Sequence, residues 1–186
     1  MAVQPTKYLF TVDEYERLGQ AGILGEDSRV ELIEGEIIQM NPIGGPHAST
    51  VDRLTRLLVL GLGDLAIVRV QSPIRIRERN EPQPDLALLR PRADFYATGH
   101  PTPADVLLVV EVEDTTVEYD TRTKAPLYAR AGIPELWVVD LPRACVVTHR
   151  EPSDIGYAAT RVHRRGEVLR PLAFPDLAVP VDDILG

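Results

Sequence analysis

Two short apolar runs with acidic residues at their ends stand out in the middle of the chain. Residues 84–89 and 107–113 are rich in Leu and Val, which predicts two buried β-strands. Each run carries a carboxylate at its edge or end, Asp85 in the first and Glu111 and Glu113 in the second. An acid inside a buried strand costs free energy unless it is paired, protonated or bound to a metal. The two strands therefore indicate a site rather than an ordinary core.

Lys124 follows these acids after a short polar turn. The chain has only two lysines, Lys7 and Lys124, among 20 basic residues, which is a hint that position 124 requires a compact ammonium group. Clustered acids with a nearby lysine are typical of a divalent metal site that acts on phosphate. The alternative interpretation is that the acids are solvated strand ends and that Lys124 is a surface residue at a helix start.

The first forty residues predict a helix and a hairpin. Thr11 and Glu14 have the spacing of a capping box, in which each side chain bonds the backbone of the other residue, so a short helix begins at Thr11. Residues 30–40 predict a hairpin that turns at Glu34 and Gly35.

The pattern that follows predicts a second helix and further strands. Pro46 is suited to the first turn of a helix, and apolar residues recur after it at helical spacing. Residues 66–70 and 73–79 predict two strands, and residues 156–186 predict further short strands.

A strand–helix–strand unit is predicted to follow the second acidic strand. Residues 117–132 predict the crossover helix, which ends at Gly132, and residues 135–140 predict the next strand. Thr123 as the N-cap would place Pro126 in the first turn, where a proline is tolerated. The two strands of such a unit are parallel, so we expect a mixed sheet flanked by helices, and therefore an α/β fold.

Composition limits the class of protein. At 186 residues, with 44% hydrophobic and 26% charged residues, the chain is predicted to form one domain, residues 1–186, with a substantial core. A lone cysteine, Cys145, fits a reducing cytoplasm. The first residues lack a signal-peptide pattern and the longest apolar runs are too short to cross a membrane, so we expect neither a signal peptide nor a membrane-spanning helix. The net charge of −8 argues against a protein that coats nucleic acid by charge, but not against an enzyme that cuts it.

The ordered set of motifs resembles a known family, the "putative restriction endonuclease" family of the PD-(D/E)XK nuclease superfamily. The motifs are Glu31 with Glu34-Gly35, His47 at a helix start, Pro84-Asp85, Glu111-Val112, Tyr119-Asp120 with Lys124 and Tyr128, and the ten residues 131–140. The likeness extends from about Tyr8 to Asp140. Pro84-Asp85 alone is a weak signal, and the ordered set is a specific one.

The resemblance implies a restriction-endonuclease-like core and a metal-dependent phosphodiesterase. Asp85 and Glu111 would hold Mg²⁺, for which Mn²⁺ could substitute, and Lys124 would stabilise the transition state. Glu31 would be a supporting acid near the metal, and a residue on a solvated strand face is the alternative interpretation.

The chain departs from the superfamily's usual pattern, in which a lysine stands two residues after the second acid. That position is Glu113 here, and the resemblance implies that the lysine has moved to the following helix. Glu113 is therefore either an added ligand or support, or a rim residue paired with arginine. Tyr128 is interpreted as core packing beside Lys124.

Candidate contacts with nucleic acid are weaker. Arg75, Arg77 and Arg79 would lie on one face of the strand predicted at 73–79 and could follow a phosphate backbone, although a solvated sheet face is the alternative. His47 could contact the substrate phosphate or be a half-buried residue near a helix cap.

Three functional hypotheses remain at this stage. The first is a Mg²⁺-dependent DNA endonuclease that works as a homodimer, because a small one-site chain needs a second copy to cut two strands. The second is a catalytically inactive, nuclease-like binding or structural subunit. The third is a metal-dependent hydrolase of another phosphate ester.

Overall fold

A six-stranded β-sheet is the centre of the computed structural model, which describes residues 6–25, 28–114 and 120–186. The elements in chain order are α1 (Val12–Gln20), β1 (Val30–Ile33), β2 (Glu36–Gln39), α2 (Gly45–Leu62), β3 (Ile67–Val70), β4 (Leu86–Leu89), β5 (Val106–Glu113), α3 (Ala125–Arg130), β6 (Glu135–Asp140), β7 (Cys145–Ser153), β8 (Gly156–Arg164), β9 (Val168–Leu169), β10 (Val179–Pro180) and α4 (Val181–Leu185). Strands β3 to β8 lie side by side in that order. The pairs β1–β2 and β9–β10 form two small antiparallel sheets.

The large sheet is mixed, as predicted. Strands β5 and β6 pair in parallel, whereas the other neighbouring strands of this sheet are antiparallel. A parallel pair requires a crossover, and α3 lies in the segment that provides it. The predicted strand–helix–strand unit is therefore confirmed.

Both faces of the sheet are buried against other elements. On one face, the apolar side of α2 and the helix α4 pack against alternate residues of β5, including Leu108 and Val110. On the other face, α3 packs with Ile74 and Ile76 against residues such as Val109. Strands that are covered on both faces read as nearly continuous apolar runs, which explains the sequence of β4 and β5.

The predicted N-terminal helix and hairpin are present. Thr11 caps α1 in a complete capping box with Glu14. Gly35 adopts φ +82° at the hairpin turn, a conformation that glycine tolerates best. Backbone hydrogen bonds between Leu32 and Glu81 join the hairpin to the segment before β4. This junction brings β1 beside the N-terminal end of β4.

The prediction of a strand at 73–79 is wrong. The chain instead forms a narrow turn, in which Ile76 N–H donates to Asn80 O at 2.8 Å and Ile74 N–H donates to Pro82 O at 3.0 Å. Arg77 adopts φ +56°, which reverses the chain direction and ends the extended conformation. Ile74 and Ile76 are buried. Their alternation with arginines therefore reflects burial of one side of a turn, not a strand.

The crossover helix differs from its prediction at its start. Its predicted first residues, 117–119, lie outside the described residues. A π-helical turn, Asp120–Lys124, leads into α3, so Thr123 is not the N-cap. Pro126 lies at the beginning of α3 and Gly132 follows its end at φ +80°, both as predicted. Within the described ranges, no helix has both the length and the apolar character that a membrane crossing requires.

Candidate active site

Asp85 and Glu111 lie next to each other where β4 and β5 meet. The antiparallel register pairs Leu86 with Val110, so the next positions outward are Asp85 and Glu111. The backbone N–H of Asp85 lies 3.4 Å from Glu111 Oε2, and that of Val112 donates to Asp85 Oδ2 at 2.8 Å. Only 9% of Asp85 and 4% of Glu111 is exposed. The strand pairing thus brings together two buried carboxylates that are 26 positions apart.

Lys124 joins this pair from the helical side. Its Nζ lies 3.1 Å from Glu31 Oε2 and 3.5 Å from Glu111 Oε1, and the side chain is almost fully buried. An ammonium group is unfavourable at a helix start because the helix dipole is positive there. The two carboxylates offset that cost, which explains why a cation is stable just before α3.

Glu31 is held in place by the hairpin. It lies on β1 and is 3% exposed, and its Oε2 accepts the backbone N–H of Gln83 at 3.1 Å. The same oxygen contacts Lys124. The carboxylate is therefore fixed from two sides and sets the position of the ammonium group.

His47 and Gln71 are further partners of Asp85. His47 Nε2 hydrogen-bonds Asp85 Oδ2 at 3.0 Å from the first turn of α2, and Gln71 Nε2 donates to Asp85 Oδ1 at 3.3 Å. The hydrogen bond to Asp85 raises the pKa of His47 above its ordinary value, although burial and the charge of Arg29 oppose this effect. His47 therefore gains positive charge at a higher pH than a free histidine. Gln71 was not among the residues predicted for the site.

Tyr128 does more than pack in the core. It is fully buried, as predicted, but its hydroxyl also donates a hydrogen bond of 2.7 Å to Glu111 Oε1. Tyr128 lies four residues after Lys124, so both side chains point to the same side of the helix and reach the same carboxylate. This spacing was the sequence signal for its role.

A cavity of about 480 Å³ opens onto these side chains. The predicted residues in its lining are Glu31, His47, Asp85, Glu111 and Lys124. Arg29 and Asp114 also contribute to its wall, and neither was predicted. This volume lies within the common range for ligand sites, about 300–1,000 Å³.

A family model described as "Uma2: Putative restriction endonuclease" matches residues 12–182. The chain belongs to the Uma2 family. The matched residues include every described element of the cavity, so the resemblance stated from the sequence is confirmed.

A solved structure supports the same fold for this Uma2 protein. It is the crystal structure of a "putative nuclease belonging to DUF820" from Anabaena variabilis ATCC 29413. The two chains are 16% identical and superpose with a TM-score of 0.75, and the match covers 95% of this chain and 97% of the other. At that identity the likeness shows the fold alone, and it confirms the predicted restriction-endonuclease-like architecture. No curated protein sequence matches this member of the Uma2 family.

Glu113 lies outside the cavity lining. It is 1% exposed, so it is buried and does not lie at an exposed rim, and its alternative pairing with an arginine stays a prediction. In the parallel pairing of β5 and β6 its partner is Asp140, so it lies one step further along the sheet than Glu111. Its proposed catalytic support remains a prediction.

The predicted arginine stripe is not formed. Arg75 makes ion pairs with Asp13 and Glu16 on α1, and Arg77 donates to the backbone carbonyl of Arg130. Neither guanidinium lines the cavity, because residues 73–79 form a turn instead of a strand that would align them.

The donor set in the cavity fits a hard divalent cation. Asp85 and Glu111 supply carboxylate oxygens, which Mg²⁺ prefers. Within the described ranges, no group of three or more His, Cys, Asp or Glu side chains is arranged to hold a metal ion. A pair of carboxylates is a donor set that suits an ion keeping several waters, as Mg²⁺ usually does.

Proposed function

We propose that this Uma2 protein is a Mg²⁺-dependent endonuclease that hydrolyses phosphodiester bonds in DNA, with Mn²⁺ as a possible substitute. One observation carries the proposal: Asp85, Glu111 and Lys124, from three separate segments, meet in one cavity. The "restriction endonuclease" description of the family supports the choice of reaction, and the crystal structure of a "putative nuclease" supports it through the shared fold.

Asp85 and Glu111 would hold the metal. When bound, Mg²⁺ would polarise a phosphoryl oxygen and lower the pKa of a coordinated water. The chain fixes both carboxylates in advance through neighbouring groups. Val112 N–H holds Asp85, and the Tyr128 hydroxyl holds Glu111. Such fixed ligands need little rearrangement when a cation binds.

Lys124 would stabilise the negative charge that develops on the phosphoryl oxygens during cleavage. Its ammonium group borders the cavity and is held 3.1 Å from Glu31 Oε2. A buried cation that is already oriented acts in a low-dielectric environment, where it is more effective than in water. Glu31 would therefore position Lys124 without touching the substrate.

His47 and Arg29 would contribute positive charge on the substrate side. Both line the cavity, and the hydrogen bond to Asp85 favours the charged form of His47. These local charges would compensate for a net charge of −8 that repels DNA at long range. We also propose a homodimer, because one such site cuts one strand at a time.

The test is cleavage of supercoiled plasmid with Mg²⁺ or Mn²⁺. Asp85→Asn and Lys124→Met should each lower the rate by about 100-fold or more, because each removes a charge at the reacting phosphate. Asp176→Asn and Lys7→Met are matched controls at exposed positions and should cut like the wild type. Equal cleavage by all five proteins would reject the assignment.

Two further measurements separate the other hypotheses. Calorimetry with Mn²⁺ should show one site that Asp85→Asn loses. A wild-type protein that neither cuts DNA nor binds Mn²⁺ would favour the inactive subunit. A panel of DNA, RNA and nucleotides tests the third hypothesis, which would be favoured if only nucleotides were hydrolysed.

A further inference from the structure

A second cavity, of about 490 Å³, lies beside the candidate active site. The two cavities share Arg29, Met40 and Gln83 in their walls. Gln83 also donates its backbone N–H to Glu31, so the shared wall is part of the support of Lys124. A ligand in the second cavity would therefore lie next to a phosphate in the first.

Glu81 is the unusual residue of this second cavity. It is 4% exposed and lines the cavity, yet its buried Oε2 has no hydrogen-bond partner. Buried carboxylate oxygens are normally hydrogen-bonded, because leaving one without a partner costs free energy. Burial, with a smaller effect from the charge of Glu16, raises the pKa of Glu81 to about 7. The carboxyl group is thus costly as it stands and would be stabilised by a ligand that supplies hydrogen bonds.

The rest of the wall combines apolar surfaces with polar side chains, among them Glu16, Gln71 and Gln83. Tyr15, Leu24 and Pro73 offer flat or aliphatic surfaces. The Tyr15 ring is fixed, because its hydroxyl donates to Val30 O at 2.8 Å. A cavity that combines flat and aliphatic surfaces with hydrogen-bonding side chains, among them the buried Glu81 carboxyl, is complementary to a flat ring that has polar atoms at its edge.

We propose that this cavity receives a nucleobase of the DNA substrate and that Glu81 accepts hydrogen bonds from the edge of that base. The inference rests on the proposed function and adds a substrate subsite to it. A base is joined to its phosphate through one sugar, so a cavity that borders the phosphate site is where an unstacked base can go. Enzymes that take a base out of the stack hold it in this way, between apolar side chains and with hydrogen bonds to its edge.

Arg29 connects the two sites. It lines both cavities. Its backbone adopts φ +38°, and its carbonyl accepts the N–H of Met40 at 2.8 Å. Arg29 would contact the phosphate or sugar between the reacting phosphate and the bound base.

The experiment measures binding separately from cleavage. The probes are four short single-stranded DNAs that differ in one central base, together with a fifth strand that is abasic at that position. Affinities are measured by fluorescence anisotropy with Ca²⁺ in place of Mg²⁺, at about pH 8, where the Glu81 carboxyl is mostly ionised. The wild type should bind at least one base about tenfold more tightly than the abasic strand.

Glu81→Met is the main variant, because it keeps the size of the side chain and removes its polar atoms. It should bind the four strands that carry a base within about twofold of one another, since the hydrogen bonds that distinguish the bases are lost, whereas contact with the apolar walls still favours these strands over the abasic one. Glu78→Met is the matched control: Glu78 is exposed, lies in the same turn and is outside both cavities, so the preference should persist. If Glu81→Met does not fold by circular dichroism, Glu81→Leu, which also lacks polar side-chain atoms, is measured by the same criterion.

The outcomes separate this inference from the proposed function. A wild type that cleaves plasmid but binds all five strands equally overturns the subsite alone. Retention of the base preference by Glu81→Met also overturns it. A preference that depends on Glu81 supports the subsite even if no cleavage is detected, in which case only the proposed activity fails.

Discussion

Replacing Lys124 should cost far more stability than replacing the glutamate that it contacts. Lys124 is buried between Glu31, at 3.1 Å, and Glu111, at 3.5 Å, with Asp85 close to Glu111. Lys124→Met leaves these buried carboxylates without that cation. Removing one partner of a buried ion pair typically costs about 3–5 kcal/mol, which for a chain of this size corresponds to a loss of roughly 6–20 °C in melting temperature.

Glu31→Gln should be much milder. The glutamine retains an oxygen that can accept the Gln83 N–H, and Lys124 keeps its contact with Glu111. The change replaces a charged acceptor by a neutral one and removes one of the buried negative charges. We therefore expect a loss of about 1 kcal/mol or less.

Urea unfolding in the presence of EDTA measures both changes, with the exposed pair of Lys7 and Glu36 as the reference. Lys7→Met should change the free energy of unfolding by about 0–1 kcal/mol, because exposed ion pairs contribute little. In the double variant Glu31→Gln with Lys124→Met, the cost of losing Lys124 should fall by about 1–2 kcal/mol, since fewer charges are left uncompensated. Equal losses from Glu31→Gln and Lys124→Met would refute the reasoning.

Three other changes have distinct expected results. Tyr128→Phe should lower the rate of plasmid cleavage about tenfold or more, because it removes the hydrogen bond that holds the Glu111 carboxylate. Tyr157→Phe is the control: it removes a hydrogen bond to a backbone carbonyl and should leave cleavage unchanged. Because its pKa is raised to about 7 in the folded protein, Glu81 stays protonated to a higher pH there than in the unfolded chain and reduces stability as pH rises from about 4.5 to 7. At about pH 8, the free energy of unfolding of Glu81→Gln, measured with urea, should therefore be about 2–3 kcal/mol higher than that of the wild type. A gain of equal size at about pH 4 would contradict this explanation. Gly35→Ala should destabilise more than Gly22→Ala in thermal melts: both glycines have positive φ, but a Cβ at position 35 would lie 2.8 Å from Leu9 Cβ and one at position 22 meets nothing within 4 Å.

Most of the fold was accessible from the sequence because the signals that define it are local. The capping box of α1, the glycine turn of the hairpin and the apolar runs of β4, β5 and β6 each depend on a few adjacent residues. The turn at 73–79 was missed for the opposite reason. Its isoleucines alternate as in a strand, and only the reversal at Arg77 and contacts with the following residues distinguish the two conformations.

The candidate site was predicted only as far as its charges. Asp85 and Glu111 could be predicted because acids are rare in buried strands. Lys124 could be predicted because the chain has only one other lysine. Gln71 was not visible, because a neutral amide after a strand has no distinctive pattern, and its role comes from reaching Asp85 across the sheet. Glu81 was not predicted either, because the lack of a hydrogen-bond partner for its Oε2 depends on how α1 and the hairpin pack around it.

Glu111 and Glu113 show why the face of a strand does not by itself define a site. The two residues alternate to the same side of β5, yet only Glu111 lines the active-site cavity. The difference lies in the neighbouring strands: Asp85 meets Glu111 where the pairing with β4 ends, whereas Glu113 lies beside Asp140 of β6. Long-range pairing therefore selects which of two acids, equivalent in the sequence, reaches the cavity.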